Sequence, residues 1–380
     1  MEYPISGIID SLDTLDLTEI IDESFGNIDT TQIIDEFQDY PSGYQQGYRK
    51  GYLINGRRYD LIDTISETSG TTIYRAIRNL EEYVIKNIHI RSFGGLPKRI
   101  QNEIEIPLFI NNNVTDNTID STDGNASGND TNIISIIDSQ IIQNNNIYSI
   151  DIIYEAMRVD LAQYQSEQII NGPTRIFIIT EILKGLSLIH LHNIIHHDLK
   201  PENILIGYNG EIKIADFGVA SINIINTDPN NGTYWYMPPE KYCYALTFDN
   251  YFKSLINDKV DIWALGCIYI QLCNNGQLLF NEPYSDGPAQ QLSRICQVLS
   301  IDLGLFLNQF PIQNYPDNVS KLLDFLSFST EYYPLYAILA SHSDISPDEY
   351  SLLVSCLSCN SSFRPTAVQC LEIITRFLPT

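Results

Sequence analysis

The chain has 380 residues, 44% of them apolar, enough to bury a core in one large domain or two ordinary ones. A formal charge of −25 excludes a protein that holds nucleic acid or an anionic membrane by charge, since phosphate would be repelled; neutral or basic protein partners fit better. No apolar run reaches the approximately 18 residues of a bilayer span, and the seven cysteines, all from Cys243 onward with no secretory leader pattern before them, read as reduced thiols of a cytoplasmic or nucleo-cytoplasmic protein.

Residues 1–48 contain no lysine or arginine, and Leu12, Leu15, Leu17, Ile20, Ile21 and Phe25 recur among Asp13, Asp16, Glu19, Asp22 and Glu23. Such a segment is either a solvating tail or a docking helix for a basic or apolar partner. A Gly/Tyr-rich linker follows, from Gly43 to Tyr52, and the Asn55-Gly56 turn marks entry into a sheet, so residues 1–58 read as an acidic extension and linker. From Tyr59 to Ala76 the pattern is strand, polar turn over residues 66–72, and strand. Val84-Ile85-Lys86 reads as a strand ending in lysine, and Glu103 and Glu105 stand on opposite sides of Ile104. Residues 111–132 lack aromatic and basic side chains and are expected to form a disordered insertion. Residues 133–137 and 147–153 read as strands across the Asn144–Asn146 turn, and residues 176–189 have helical apolar spacing.

Four of the six histidines, His190, His192, His196 and His197, crowd the next stretch, without the His-Glu-x-x-His order of a zinc helix. There His196-His197-Asp198-Leu199-Lys200-Pro201-Glu202-Asn203 sets an acid, a cation and an amide in one turn-rich loop. The acid can accept a hydroxyl proton, the lysine can sit against a transferring phosphate, and the amide oxygen can hold a metal. Ile204-Leu205-Ile206, the tight turn at Asn209-Gly210, and Ile212-Lys213-Ile214 then form a hairpin that delivers Asp216-Phe217-Gly218 beside that loop. Further on stand Gly232-Thr233-Tyr234-Trp235-Tyr236-Met237-Pro238-Pro239-Glu240, Asp261-Ile262-Trp263-Ala264-Leu265-Gly266 and Arg364-Pro365. Cys356 and Cys359 have the gap of a zinc half-site but no second pair, and read as core residues.

In order and spacing these motifs resemble the protein kinase family, and Leu279-Phe280 with Gln291-Leu292-Ser293-Arg294-Ile295 resembles its cyclin-dependent and MAP kinase branch. The resemblance covers residues 59–378. It implies an α+β bilobal protein kinase fold: a small antiparallel β-sheet lobe with one main helix (59–156), a larger mostly α-helical lobe (157–378), and ATP between them. It implies Asp198 as catalytic base, Lys200 as the phosphate-contacting lysine of serine/threonine kinases, and Asn203 and Asp216 as magnesium (Mg2+) ligands. Thr233 is implied to bond toward Asp198 and Lys200, an arrangement that places an aliphatic hydroxyl. Lys86 is implied to grip the alpha and beta phosphates and to pair with Glu103.

The nucleotide loop maps to Ile65, Ser66, Thr68, Gly70 and Ile73. The family glycines fall on Ser66, Thr68 and Thr71, so only Gly70 remains, displaced by one, and side chains crowd the close approach of backbone N–H groups to phosphate. Matching Asp160-Leu161 to the branch puts the gatekeeper at Tyr154 and the adenine hinge at Glu155-Ala156-Met157, with backbone bonds from Glu155 and Met157 and Asp160 reaching the ribose. His197 replaces the arginine by which many kinases hold a phosphorylated activation loop, so activity is expected not to depend on a phosphate at Thr227. Asp261 is implied to brace the catalytic loop, and Glu240 and Arg364 to form a buried ion pair. The poor nucleotide loop and His197 leave a pseudokinase, or an ATP-binding regulatory scaffold working through its acidic N-terminal segment, as alternatives to an active kinase.

Overall fold

The structure, a computed structural model, describes residues 51–92, 94–115, 131–222, 230–248, 250–281, 283, 287–300, 335, 339 and 345–377. The acidic segment, Thr227 and most of the expected insertion lie outside the described residues. The described residues fall into two compact units: 51–90 with Asp138–Ile153, and those of Arg91–Ile137 and from Tyr154 onward.

The first unit is built on strands β1 (Gly51–Ile54), β2 (Arg57–Thr68), β3 (Thr71–Arg78), β4 (Glu81–Arg91), β5 (Ile136–Asn144) and β6 (Ile147–Glu155), in the order β1-β2-β3-β4-β6-β5. The last residues of β6 and the first of β5 belong to the second unit. β1 pairs β2, β2 pairs β3 and β3 pairs β4 antiparallel. Tight turns of this kind need positive φ at both central residues, and Asn55-Gly56 supplies it at 46° and 72° and Asn79-Leu80 at 52° and 69°. Ile54, Tyr59, Ala76, Tyr83, Ile85 and Ile153 form the core of this unit, with the Tyr59 and Tyr83 rings edge-to-face at 5.5 Å. Side chains tie one edge of the sheet to the other: the Asn55 N–H donates to Gln140 Oε1 at 2.7 Å, and Asn55 Nδ2 donates to Asp138 Oδ1 at 2.8 Å. The sheet therefore starts at Gly51, inside the stretch read as linker.

The second unit contains α1 (Lys98–Thr115), β7 (Val159–Asp160), α2 (Leu161–Glu167), α3 (Gly172–Leu191), β8 (Ile194–Ile195), β9 (Ile204–Ile206), β10 (Ile212–Ile214) and β11 (Ser221–Ile222). It continues with α4 (Pro239–Thr247), α5 (Asn250–Ser254), α6 (Lys259–Cys273), α7 (Pro288–Val298), α8 (Pro347–Cys356) and α9 (Ala367–Ile374). α6 is buried from Val260 to Cys273, as expected of a helix apolar all round. α3 starts at the Asn171 cap with proline in its first turn and approaches β10 so closely that a Cβ on Gly185 would lie 2.9 Å from Ile214 Cδ1. Arg175 and Arg364 each anchor a buried ion pair across the described part of the unit. Arg175 Nη2 meets Glu349 Oε1 at 2.9 Å, and Arg364 grips Glu240 through two bonds of 2.7 and 2.8 Å while its guanidinium lies 5.0 Å from the centre of the Trp263 ring.

Further boundaries differ from the sequence reading. α1 runs through residues 111–115, and Thr131 and Asn132 are buried, so the expected insertion keeps structured ends. Its polar residues act as ties there: Thr131 Oγ1 donates to Asn111 Oδ1 at 2.5 Å, and Asn132 Nδ2 to the Ile212 carbonyl at 2.9 Å. β5 begins at Ile136, because Ile133 instead bridges Ile214. Lys86 lies within β4, opposite Ile73, because the strand continues to Arg91.

Candidate active site

The site is assembled by a short hairpin. β9 and β10 pair with Ile206 opposite Ile212 and Ile204 opposite Ile214, across a turn where Gly210 has φ 86°. Apolar side chains on both strands bury the hairpin, which brings the Ala215 N–H to the Asn203 carbonyl at 2.9 Å. Asp216 follows in a left-handed conformation, φ 62°, uncommon outside glycine, and buried Phe217 anchors the bend against the edge of the His196 ring at 5.0 Å.

The loop before β9 holds the reactive set. Thr233 Oγ1 donates to Asp198 Oδ1 at 2.5 Å. Lys200 Nζ donates to Asp198 Oδ2 at 3.0 Å and to Thr233 Oγ1 at 2.8 Å. Asn203 Nδ2 donates to the Asp198 carbonyl at 2.8 Å, which leaves Oδ1 of the amide as its oxygen donor toward a cation. A carboxylate, an ammonium group and an alcohol thus meet at one point, with Asn203 fixing the backbone beneath them.

Asp261 of α6 holds this loop in shape. Its two oxygens accept the backbone N–H groups of His196 and His197, each at 2.9 Å, and Oδ2 also meets His190 Nε2 at 3.0 Å. Burial pushes this carboxyl up, but the His190 bond and the surrounding imidazoles outweigh it and bring it down to about 2. His197 sits at φ 68° with Nε2 2.8 Å from Ser221 Oγ. Burial first, then the Lys241 ammonium, lowers its imidazole to about 3, so it stays neutral and offers no positive charge.

Several contacts were not anticipated by the sequence reading. Asn102 Nδ2 donates to the Ala220 carbonyl at 2.7 Å, fastening α1 to the segment after Gly218. The Tyr154 hydroxyl donates to Glu103 Oε1 at 2.9 Å. Lys213 Nζ bridges both oxygens of Glu155 at 2.7 and 2.8 Å, and the Ser135 N–H donates to Glu155 Oε1 at 2.7 Å. A lysine inside the apolar run Ile212-Lys213-Ile214 was a signal that a carboxylate would be waiting; nothing local marked Asn102 or Ser221.

The family model described as the protein kinase domain matches residues 61–373. The chain belongs to the protein kinase family. Human cyclin-dependent kinase 15 is 33% identical over 189 residues, 48% of this chain and 38% of that protein. Cyclin-dependent kinase 15 of Danio rerio is 28% identical over 277 residues, 70% of this chain and 56% of that protein. Cell division control protein 2 homolog 3 of Trypanosoma brucei brucei is 28% identical over 268 residues, 68% of this chain and 75% of that protein. The chain thus spans 38% to 56% of the cyclin-dependent kinase 15 relatives it matches, and these names agree with the kinase branch indicated by the sequence.

The protein kinase fold is thus established, as α+β with a sheet unit and a mostly helical unit, and the remaining residues that the resemblance singled out lie as follows. The nucleotide-loop residues belong to one continuous hairpin. β2 runs through Ile65, Ser66 and Thr68, only Ser69-Gly70 turns, and Ser66 pairs Ile73; the polar stretch read as a seven-residue turn is mostly strand. Gly70 is required there, with φ 87° and the position of a Cβ only 2.9 Å from the His89 carbonyl oxygen. Ile65 lies at a register shift and is half exposed. At the positions the resemblance assigns to the hinge, Glu155 ends β6 and Met157 packs against the helical core. Asp160 caps α2, Oδ1 accepting the Gln163 N–H at 2.8 Å, so one carboxylate oxygen is already engaged.

Proposed function

We propose that the protein is an ATP-dependent serine/threonine protein kinase that transfers the gamma-phosphoryl group of Mg-ATP to a protein hydroxyl. The observation that carries this reading is the Thr233–Asp198–Lys200 cluster, in which an aliphatic hydroxyl donates to Asp198 Oδ1 at 2.5 Å beside a lysine bonded to both. Asp198 orients the incoming serine or threonine hydroxyl and accepts its proton as the oxygen attacks phosphorus, while Lys200 balances charge on the transferring group. Asp216 and Asn203 offer the hard oxygen donors that magnesium prefers. Magnesium, when bound, would screen the phosphate charge. Lys86 contacts the alpha and beta phosphates and pairs with Glu103. Ile65, Ser66, Thr68, Gly70 and Ile73 lie over the nucleotide, the Glu155 and Met157 backbones hold adenine, and Asp160 offers its second oxygen to the ribose. Catalysis rests on positioning and charge neutralisation.

Net charge of −25 supports a neutral or basic protein substrate, and the seven free cysteines support a cytoplasmic or nucleo-cytoplasmic location. The acidic segment before Gly51 is the candidate docking element for a further partner. Neutral His197, held on Ser221, supports activity without an activation-loop phosphate; Thr227→Ala should retain phosphoryl transfer.

The test is incubation with labelled ATP, magnesium and a generic basic protein beside an Asp198→Asn control. Wild type should label the substrate, with the control reduced at least about 100-fold. A wild type that neither labels nor gains thermal stability from Mg-ATP would instead be a pseudokinase. Deletion of residues 1–50 separates the scaffold reading: an autonomous kinase keeps its activity.

A further inference from the structure

The function proposed above uses Glu103 to set Lys86, but it leaves open what sets Glu103. Glu103 lies on α1 and is 3% exposed. A carboxylate buried that deeply needs donors aimed at it, or it moves toward water. One donor is Tyr154, whose ring packs against the helical core and whose hydroxyl meets Oε1 at 2.9 Å. Leucine, methionine or phenylalanine at this position would fill the same space without a donor.

Two further features make this contact more than packing. The residue preceding Glu103, Asn102, is tied to the Ala220 carbonyl at 2.7 Å, so α1 is fastened at adjacent positions to β6 and to the segment after Gly218. The Tyr154 phenol also stays protonated. Burial, then the Glu103 carboxylate and Asp216, push it well above its ordinary range, so it remains a donor at any working pH.

We propose that Tyr154 is a positioning residue for phosphoryl transfer: its hydroxyl holds Glu103 by Oε1 and so keeps the carboxylate in one orientation for the role the kinase reading gives it. The inference rests on the kinase reading. Tyr154 touches neither nucleotide nor substrate in this role and acts only through Glu103.

The experiment is a double-mutant cycle on the full chain, with kcat and KM for ATP measured for wild type, Tyr154→Phe, Glu103→Ala and the double variant, beside Asp198→Asn. Tyr154→Phe should lower kcat about 10-fold, with a smaller change in KM and only a modest fall in the thermal transition, because a charge-assisted hydrogen bond is lost while the ring stays. In the Glu103→Ala background the same substitution should change kcat by less than about 2-fold. Tyr154→Met, which also lacks the hydroxyl, should reproduce the single-variant loss.

Additive losses, or an unchanged kcat in Tyr154→Phe and Tyr154→Met, would overturn the proposal while wild-type activity leaves the kinase reading standing. If wild type is as inactive as Asp198→Asn, the kinase reading has failed and the proposal falls with it.

Discussion

Asp261 in the helical unit and Asp151 in the sheet unit are buried alike, 1% and 3% exposed, yet they hold their protons in opposite ways. Asp261 accepts two backbone N–H groups and a histidine ring, and its carboxyl is brought down to about 2 despite burial. Among the described residues, Asp151 accepts the Tyr52 hydroxyl at 2.9 Å and the Asn87 amide at 2.6 Å. Burial outweighs these neutral donors, and its carboxyl is raised. The donors rather than the depth decide the charge. A fixed negative charge sits under the loop that carries Asp198, whose neighbour His197 holds an unfavourable φ of 68°, while the sheet is tied by a carboxyl whose charged form burial disfavours.

A third buried carboxylate sharpens the comparison most strongly. Arg364→Met strands Glu240 without its two guanidinium bonds and should cost about 3–5 kcal/mol in denaturant unfolding, lowering folded yield more than the turnover of the molecules that fold. Asp261→Asn keeps the volume but turns an amide NH2 toward one of the two loop N–H groups. It should cost about 3 kcal/mol and lower phosphoryl transfer about 100-fold by displacing Asp198. Should Asp261→Asn prove as mild as Asp151→Asn, the proposed contrast is wrong.

Acid separates the two regions further. His197 falls to about 3 in the folded protein from an ordinary 6.5, so between those values the unfolded chain binds more protons. Stability contributed by neutral His197 is complete above pH 6.5 and declines as pH falls toward 3, by at most about 1.4 kcal/mol per pH unit. Asp261, down from 3.8 to about 2, adds to the loss only below pH 3.8. Raised Asp151 works the other way: the folded state takes up its proton first, and stability from this group grows as pH falls toward 3.8. Urea titrations at pH 7, 6 and 5 should show a slope in wild type that flattens in His197→Gln. The smallest effect is expected of Asp151→Asn at pH 7, within about 1 kcal/mol, since its partners keep an oxygen acceptor and burial already disfavours the charge that is removed.

Legibility followed distance along the chain. The hairpin from Ile204 to Ile214, its Asn209-Gly210 turn and the delivery of Asp216 could be read because period and turn chemistry are local signals. The nucleotide hairpin was harder. Its polar residues suggested a long turn, but Ser66–Thr68 and Thr71–Thr72 pair as strands because backbone pairing tolerates polar side chains on an exposed hairpin. The ends of the expected insertion were misjudged for a related reason, since asparagine counts as a loop former until a carbonyl such as that of Ile212 is there to satisfy it.

The order of motifs by itself determined the family and the α+β fold class and singled out Asp198, Lys200, Asn203 and Asp216 as a candidate set, because these residues are fixed relative to one another by a few turns of backbone. Only tertiary structure decided what holds them: Asp261 reaching back across 65 residues to the His196 N–H, Ser221 meeting His197, Tyr154 finding Glu103, and Asn87 with Tyr52 enclosing Asp151. Such partners are chosen by packing, where a buried polar group must find whichever complementary group the fold brings within reach, and no local spacing encodes that choice.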